Sequence, residues 1–302
     1  MAEGNSMTYE EAIAALSAYR DETGKSQRAI AKELGISDGL VSAFLAGTYK
    51  TPHTIIPKVV DLTMVKEKRR VAPKEPGFVE TTVAKAVMDA ISYCHLQGKV
   101  AVVYGDAGIG KTMAVREYLK GNSLAIGVTA SPAYASITGI NDLLVRHLGV
   151  KERVARKIYA ETVEKLRGSG RVLVVDEAQH LTVRTLDYLR CISDESGVGL
   201  ALVGNYEVYT KMKGSGEAAF AQLFSRIGMR RQVLTGNICK KDVEMVFREA
   251  LLDGESVELL LRIARTKYGL RGAVNVFVNT AAVFGSIAAP ELARMAKEMN
   301  IG

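Results

Sequence analysis

The stretch Gly105-Asp106-Ala107-Gly108-Ile109-Gly110-Lys111-Thr112 decides the fold. It is a complete G-x-x-x-x-G-K-T string, preceded by the apolar run Val100–Tyr104 and followed by an amphipathic run from Met113 to Leu119. Strand, glycine-rich turn and helix in that order make a phosphate cradle. Gly105, Gly108 and Gly110 let the main chain wrap an anion and turn its N–H groups inward, and the helix N-terminus adds partial positive charge. Lys111 supplies a charge for β- and γ-phosphates, and Thr112 a hydroxyl for Mg²⁺. Asp106, Ala107, Ile109 and Met113 complete the expected nucleotide-binding segment. A bare glycine turn accounts for far less of this string than a phosphate loop does.

A second segment complements it. Arg171-Val-Leu-Val-Val-Asp-Glu177 reads as a buried strand that delivers Asp176 and Glu177 at its carboxyl end, where open parallel sheets bind ligands. Asp176 suits Mg²⁺, and Glu177 suits orienting or deprotonating an attacking water. Two acids after a strand also suit a helix N-terminus, but the upstream loop favours the catalytic role. Asn205, after the apolar run Gly199–Gly204, can hold the water, sense the γ-phosphate, or simply close an Asx turn.

Further outward, short apolar runs at Val100–Tyr104, Leu124–Thr129, Val172–Val175 and Leu200–Val203, with a fifth at Gln232–Leu234, alternate with amphipathic helical stretches. That alternation predicts parallel strands with helical crossovers: an α/β, three-layer P-loop sandwich. After Gly236 the apolar spacing is helical to the end. Pro73, Pro76 and Gly77 mark a break, with the charge run Lys66–Arg70 before it. The predicted domains are 1–70, a linker at 71–77, a core at 78–235 and a helical lid at 236–302.

In the first domain, Ser26 can cap a helix carrying Ile30 and Leu34 inward. Gly35 permits a left-handed turn, and Ser37 caps a second helix carrying Val41 and Leu45. This is a helix-turn-helix pattern, whose second helix enters the major groove. Its expected outward residues, Asp38, Ser42 and Phe44, are poor base readers. Lys25, Arg28, Lys32 and Lys50 are better suited to phosphates, which implies weak sequence selectivity. A helix-turn-helix serving only protein contacts is the competing account.

Composition bounds the rest. With 302 residues, 48% hydrophobic and 24% charged, disorder, collagen-like structure and coiled coil are excluded. No apolar run is long enough to span a membrane. The start, Met-Ala-Glu-Gly-Asn, lacks a secretory pattern, and Cys94, Cys191 and Cys239 fit a reducing cytoplasm without a zinc site. The net charge of +7 suits a nucleic-acid partner, and the basic excess is densest at 25–74, with ten basic against four acidic residues.

Together these features resemble the AAA+ ATPases and, more narrowly, the target-DNA ATPases of phage transposition and their transposase-helper relatives. The narrower likeness rests on Gly77-Phe-Val-Glu-Thr81, Val102–Thr112, Ala114-Val-Arg-Glu-Tyr118, Val174-Val-Asp-Glu-Ala-Gln-His180, Leu202-Val-Gly-Asn205 and Leu223-Phe-Ser-Arg-Ile227. Gln179 departs from the pattern, which would have an acid there. The resemblance implies ATP and Mg²⁺ as ligands, ATP sites between subunits of a homo-oligomer, and assembly as a helical filament on double-stranded DNA. It also implies delivery of that DNA to a DNA transposase. It makes Arg226 the candidate arginine finger, with Arg230 and Arg231 as competitors, and Arg271 a second sensor contacting the γ-phosphate; the glycines around Arg271 fit helix capping equally well. Lys151, Arg153, Arg156 and Lys157, or a loop from Lys211 to Gly216, could track DNA in such an assembly. A helicase-loading or replication-initiation ATPase is the nearest alternative. An ATP-liganded transcription regulator is another, disfavoured by the poorly equipped second helix, and a metabolic kinase has no use for the N-terminal helices.

Overall fold

The computed structural model describes residues 7–71, 75–213 and 227–301. The chain divides into two compact units, Met1–Pro73 and Lys74–Gly302.

The first unit is helical: α1 (Tyr9–Thr23), α2 (Gln27–Leu34), α3 (Asp38–Leu45) and α4 (Ile56–Val71). Thr8 starts α1 with a reciprocal capping box to Glu11, and Ser26 caps α2 by accepting from the Ala29 N–H. Ser37 stands at the start of α3 without a side-chain cap bond. Gly35 closes α2 in the left-handed region, φ 63°, so the chain reverses into α3 within three residues. Leu16, Ile30, Val41, Phe44, Ile55 and Val59 fill the core between the helices. Phe44 corrects the sequence reading: it is fully buried and meets the Tyr9 ring edge-on at 5.0 Å. The reason is helical period, since residues 41 and 44 share one face of α3. The charge run Lys66–Arg70 belongs to α4, which continues to Val71.

The second unit holds five parallel strands in the order β2-β3-β4-β1-β5: β1 Val100–Gly105, β2 Ala125–Thr129, β3 Val172–Asp176, β4 Gly199–Gly204 and β5 Ile227–Val233. Strand alternation sorts side chains into two cores. Ala101, Val103, Val172, Val174, Ala201 and Val203 face α5 (Thr82–Gln97), α6 (Lys111–Gly121) and the C-terminal helices. Val100, Val102, Leu173, Val175, Leu200 and Leu202 face α7 (Ile137–Leu148), α8 (Ala155–Leu166), α9 (Val183–Ser196) and α10 (Tyr206–Lys213). Both faces of the sheet are thus covered, and the near-continuous apolar strands follow from that.

The fifth strand differs from the sequence expectation. It spans Ile227–Val233, beginning well before Gln232 and stopping short of Leu234. β5 is an edge strand paired only with β1, so Arg230, Arg231 and Gln232 stay exposed and the apolar signal is lost.

The C-terminal helices are α11 (Lys240–Val246), α12 (Gly254–Ala264), α13 (Gly269–Phe284) and α14 (Ala289–Glu298). They share the first core, through Val243, Leu260, Val276 and Leu292. One carboxylate fastens this block to α5. Asp242, 1% exposed, accepts from Thr82 N at 2.7 Å, Thr82 Oγ1 at 3.0 Å and Cys239 N at 2.9 Å, so it caps α5 and α11 together. Cys94 is a buried core residue whose thiol is pushed up to about 12 by burial. Among the described residues no single helix is long and apolar enough to cross a membrane.

Candidate nucleotide-binding site

Because β4 lies between β3 and β1, the carboxyl ends of three adjacent strands meet. β1 brings the Gly105–Thr112 loop, β3 brings Asp176 and Glu177, and β4 brings Asn205. The loop is held from outside. Asp106 N donates to Val233 O at 3.1 Å, and the Asp106 carboxylate accepts from Thr235 N at 2.7 Å and Thr235 Oγ1 at 3.0 Å. Asp106 therefore braces the loop from outside with its side chain. Gly105 packs so tightly that a Cβ there would sit 1.6 Å from Val233 O. Arg271 N donates to Gly108 O at 2.9 Å, and a Cβ on Gly108 would come within 2.6 Å of Tyr268 O.

Lys111 opens α6 and donates from Nζ to Gly105 O at 3.1 Å and to Asp106 O. Burial pushes its pKa down, while Glu177, Asp176 and Asp106 push it back up and Arg271 adds to the lowering. An ammonium surrounded by acids and half withdrawn from water is a natural seat for a phosphate. Thr112 hydrogen bonds the Asp176 carboxylate, whose pKa burial raises. A hydroxyl and a carboxylate in contact form a hard oxygen donor set suited to Mg²⁺, and a cation there would offset the cost of that buried charge. Among the described residues no group of three or more His, Cys, Asp or Glu forms a protein-only metal cage.

Glu177 lies in the left-handed region at φ 55°, ψ 35°, and its N–H donates to Asp176 Oδ1 at 3.0 Å. Its Oε2 accepts from Gln179 Nε2, and Gln179 Oε1 accepts from Asn205 N at 3.2 Å. Asn205 lines the cleft and also makes the Asx turn, with Oδ1 accepting from Glu207 N at 2.8 Å. The cleft encloses about 470 Å³. It is lined by the loop with Met113, Glu177, Gln179 and Asn205, by Glu75–Val79, Thr81 and Ala84, and by Val246, Leu270, Arg271, Val274 and Asn275. Arg271 and Asn275 stand one helical turn apart on α13, so one face of that helix lines the cleft.

Sequence reasoning gives Gln179 no role, and it misses the walls at 75–84 and, apart from Arg271, on α13. The spacing from Glu177 was the only signal for the first; the second had none, because those walls are assembled by tertiary packing.

The other candidates are dispersed. Arg226 and residues 214–216 lie outside the described residues, and Lys211, read as part of a loop, belongs to α10. Arg230 and Arg231 occupy neighbouring positions of β5, beside Val102 and Val103, and so face opposite ways. In the N-terminal unit Arg28, Lys32 and Lys50 are exposed, whereas Lys25 is paired with Glu33 and donates to Tyr19 Oη at 2.9 Å. Lys151 and Arg153 precede α8, and Arg156 and Lys157 lie in its first turn. All four are exposed, with Lys157 3.8 Å from Glu152.

Fold and site define an AAA-type P-loop protein, and the family model for the AAA domain matches residues 95–212. Over a longer span the chain is 33% identical to the Mu-like prophage FluMu DNA transposition protein B of Haemophilus influenzae, covering 82% of this chain and 88% of that one. It is 32% identical to the ATP-dependent target DNA activator B of Escherichia phage Mu, covering 80% and 78%. Domain III of the Thermotoga maritima replication initiation protein DnaA superposes with a TM-score of 0.48 at 17% identity, covering 71% of this chain and 91% of that one. The chain belongs to the family of Mu-type phage transposition protein B.

Proposed function

We propose that this chain is an ATPase that assembles on duplex DNA in its ATP-bound state and presents that DNA to a transposase. The observation that carries the reading is the meeting, at three adjacent strand ends, of a phosphate loop, a Thr112–Asp176 pair and the Glu177 carboxylate. The family relationship supplies the rest: the phage Mu relative is named an ATP-dependent target DNA activator.

The chemistry follows from the residues. The loop N–H groups and Lys111 bind and orient the triphosphate. Glu177 accepts a proton from the attacking water, a role worth about 10²–10⁴ in rate. Mg²⁺, held through Thr112 and Asp176, would supply charge neutralisation on the β- and γ-phosphate oxygens. Arg271, whose N–H bonds Gly108 O of the loop, is proposed as the sensor in the same chain, and Arg226 as the finger reaching a neighbour's ATP. Contacts that exist only with the γ-phosphate make nucleotide state a switch for assembly. The exposed Arg28, Lys32 and Lys50, and the corner Lys151, Arg153, Arg156 and Lys157, fit main-chain phosphate contacts better than base reading.

The test is duplex-DNA binding by fluorescence anisotropy with ATP, ADP and no nucleotide, with electron micrographs of each mixture. ATP-dependent binding and filaments are expected. Lys111→Ala should lose both, and Glu177→Gln should retain both while losing turnover. Equal binding in all three conditions, with single particles throughout, overturns the proposal.

A further inference from the structure

We propose that Gln179 is a positioning residue for hydrolysis, its side-chain amide fixing the Glu177 carboxylate in the cleft and joining it to the end of β4. This rests on the reading of Glu177 as the base of an ATPase. A residue with a Cβ held at φ 55° is strained and persists only where its surroundings hold it. Three bonds do so: Glu177 N to Asp176 Oδ1, His180 N to Glu177 O at 3.0 Å, and Gln179 Nε2 to Glu177 Oε2.

The amide itself has one permissible orientation. Its Oε1 faces the Asn205 N–H at 3.2 Å and its Nε2 faces a carboxylate oxygen. Rotating it by half a turn would set donor against donor at Asn205 and oxygen against oxygen at Glu177. The side chain is 8% exposed, and a Cβ on Gly204 would come within 2.4 Å of its Oε1, so only a glycine at the end of β4 leaves room for it. Lys211 of α10 anchors the same residue by donating from Nζ to Gln179 O. Gln179 thus bridges the base and the strand end that carries Asn205. With Oε2 of Glu177 tied, Oε1 is the oxygen left to take a water from the cleft.

The experiment measures steady-state ATP turnover and fluorescent ATP-analogue affinity for the wild type, Gln179→Leu, Glu177→Gln and the double variant. Gln179→Leu should lower kcat by about tenfold or more while KM and analogue affinity stay within about threefold, and in the Glu177→Gln background it should add less than about twofold. A kcat equal to wild type, or a loss that persists undiminished in the Glu177→Gln background, overturns the positioning role. Wild-type turnover that is absent, or untouched by Glu177→Gln, overturns the hydrolysis reading and this inference with it.

Gln179→Glu keeps the acceptor for Asn205 N but faces Glu177 Oε2 with a second carboxylate. Should Gln179→Leu fail to fold, this variant decides. Its kcat should fall by about tenfold or more while analogue affinity stays within about threefold, because a carboxylate cannot donate to Glu177 Oε2 as the amide does. A kcat equal to wild type overturns the inference.

Discussion

Replacing Asp242 by Ala tests whether one carboxylate joins the wall of the cleft to the C-terminal helices. The side chain accepts three hydrogen bonds, at 2.7, 3.0 and 2.9 Å, two of them from main-chain N–H groups at the first turns of α5 and α11. Bonds to a charged acceptor contribute about 1.5–3 kcal/mol each, but Thr82 is exposed and its donors can turn to water. The net loss should therefore be about 3–4 kcal/mol. In a unit of this size that lowers the melting temperature by about 10 °C. Asp242→Asn keeps one oxygen for Thr82 and sets an NH₂ against Cys239 N–H, so about half of the shift is expected. Because Glu75–Val79 and Thr81 line the cleft immediately before α5, ATP-analogue affinity should fall several-fold as well. Thermal melts by circular dichroism, with and without nucleotide, read both effects. A variant that melts within about 2 °C of wild type, with Asp242→Asn unchanged, refutes the double cap.

Gly105→Ala places a methyl 1.6 Å from Val233 O, a main-chain atom that cannot retreat without unpairing β5. Loss of analogue binding together with a lower melting temperature is expected, where a purely local loop effect would lower binding alone. Burial raises the Asp176 pKa, so its contribution to stability is present below the ordinary carboxylate range and is lost as pH rises through the raised value. At neutral pH Asp176→Asn should thus leave the nucleotide-free protein as stable as wild type or more so, with the gap closing in acid, while stabilisation by ATP and Mg²⁺ disappears. A lower neutral-pH melting temperature without nucleotide contradicts this. Phe44→Ala should destabilise the N-terminal helices by about 3–5 kcal/mol, measured in chemical denaturation. No change in stability would refute the buried role of Phe44.

What was legible in the sequence was what neighbouring residues encode. The phosphate loop, the Asp176–Glu177 pair and four of the strands are contiguous patterns in which every residue's task is set by those beside it. β5 was half legible because an edge strand keeps charged residues such as Arg230 and Arg231, which erase the apolar run. Phe44 was assigned to the wrong face although its spacing from Val41 marked it as core. Gln179 was discounted because its importance depends on Gly204 and Asn205, which reach it only through the crossover from β3 to β4. The same holds for Asp242, whose partner Thr82 lies in a distant part of the chain.

Where the Gly108 bend abuts the first turn of α13, main chain rests on main chain. A Cβ on Gly269 would meet Gly108 C at 2.7 Å, just as one on Gly108 would meet Tyr268 O at 2.6 Å. Such a seam has none of the give of an interface lined by rotatable groups. A shift in the bend is handed to α13 stiffly, as between two gear teeth, through the 2.9 Å bond from Arg271 N. The same rigidity forbids compensation: bulk gained at either glycine cannot be relieved by a change at the other, because neither has any bulk to give up.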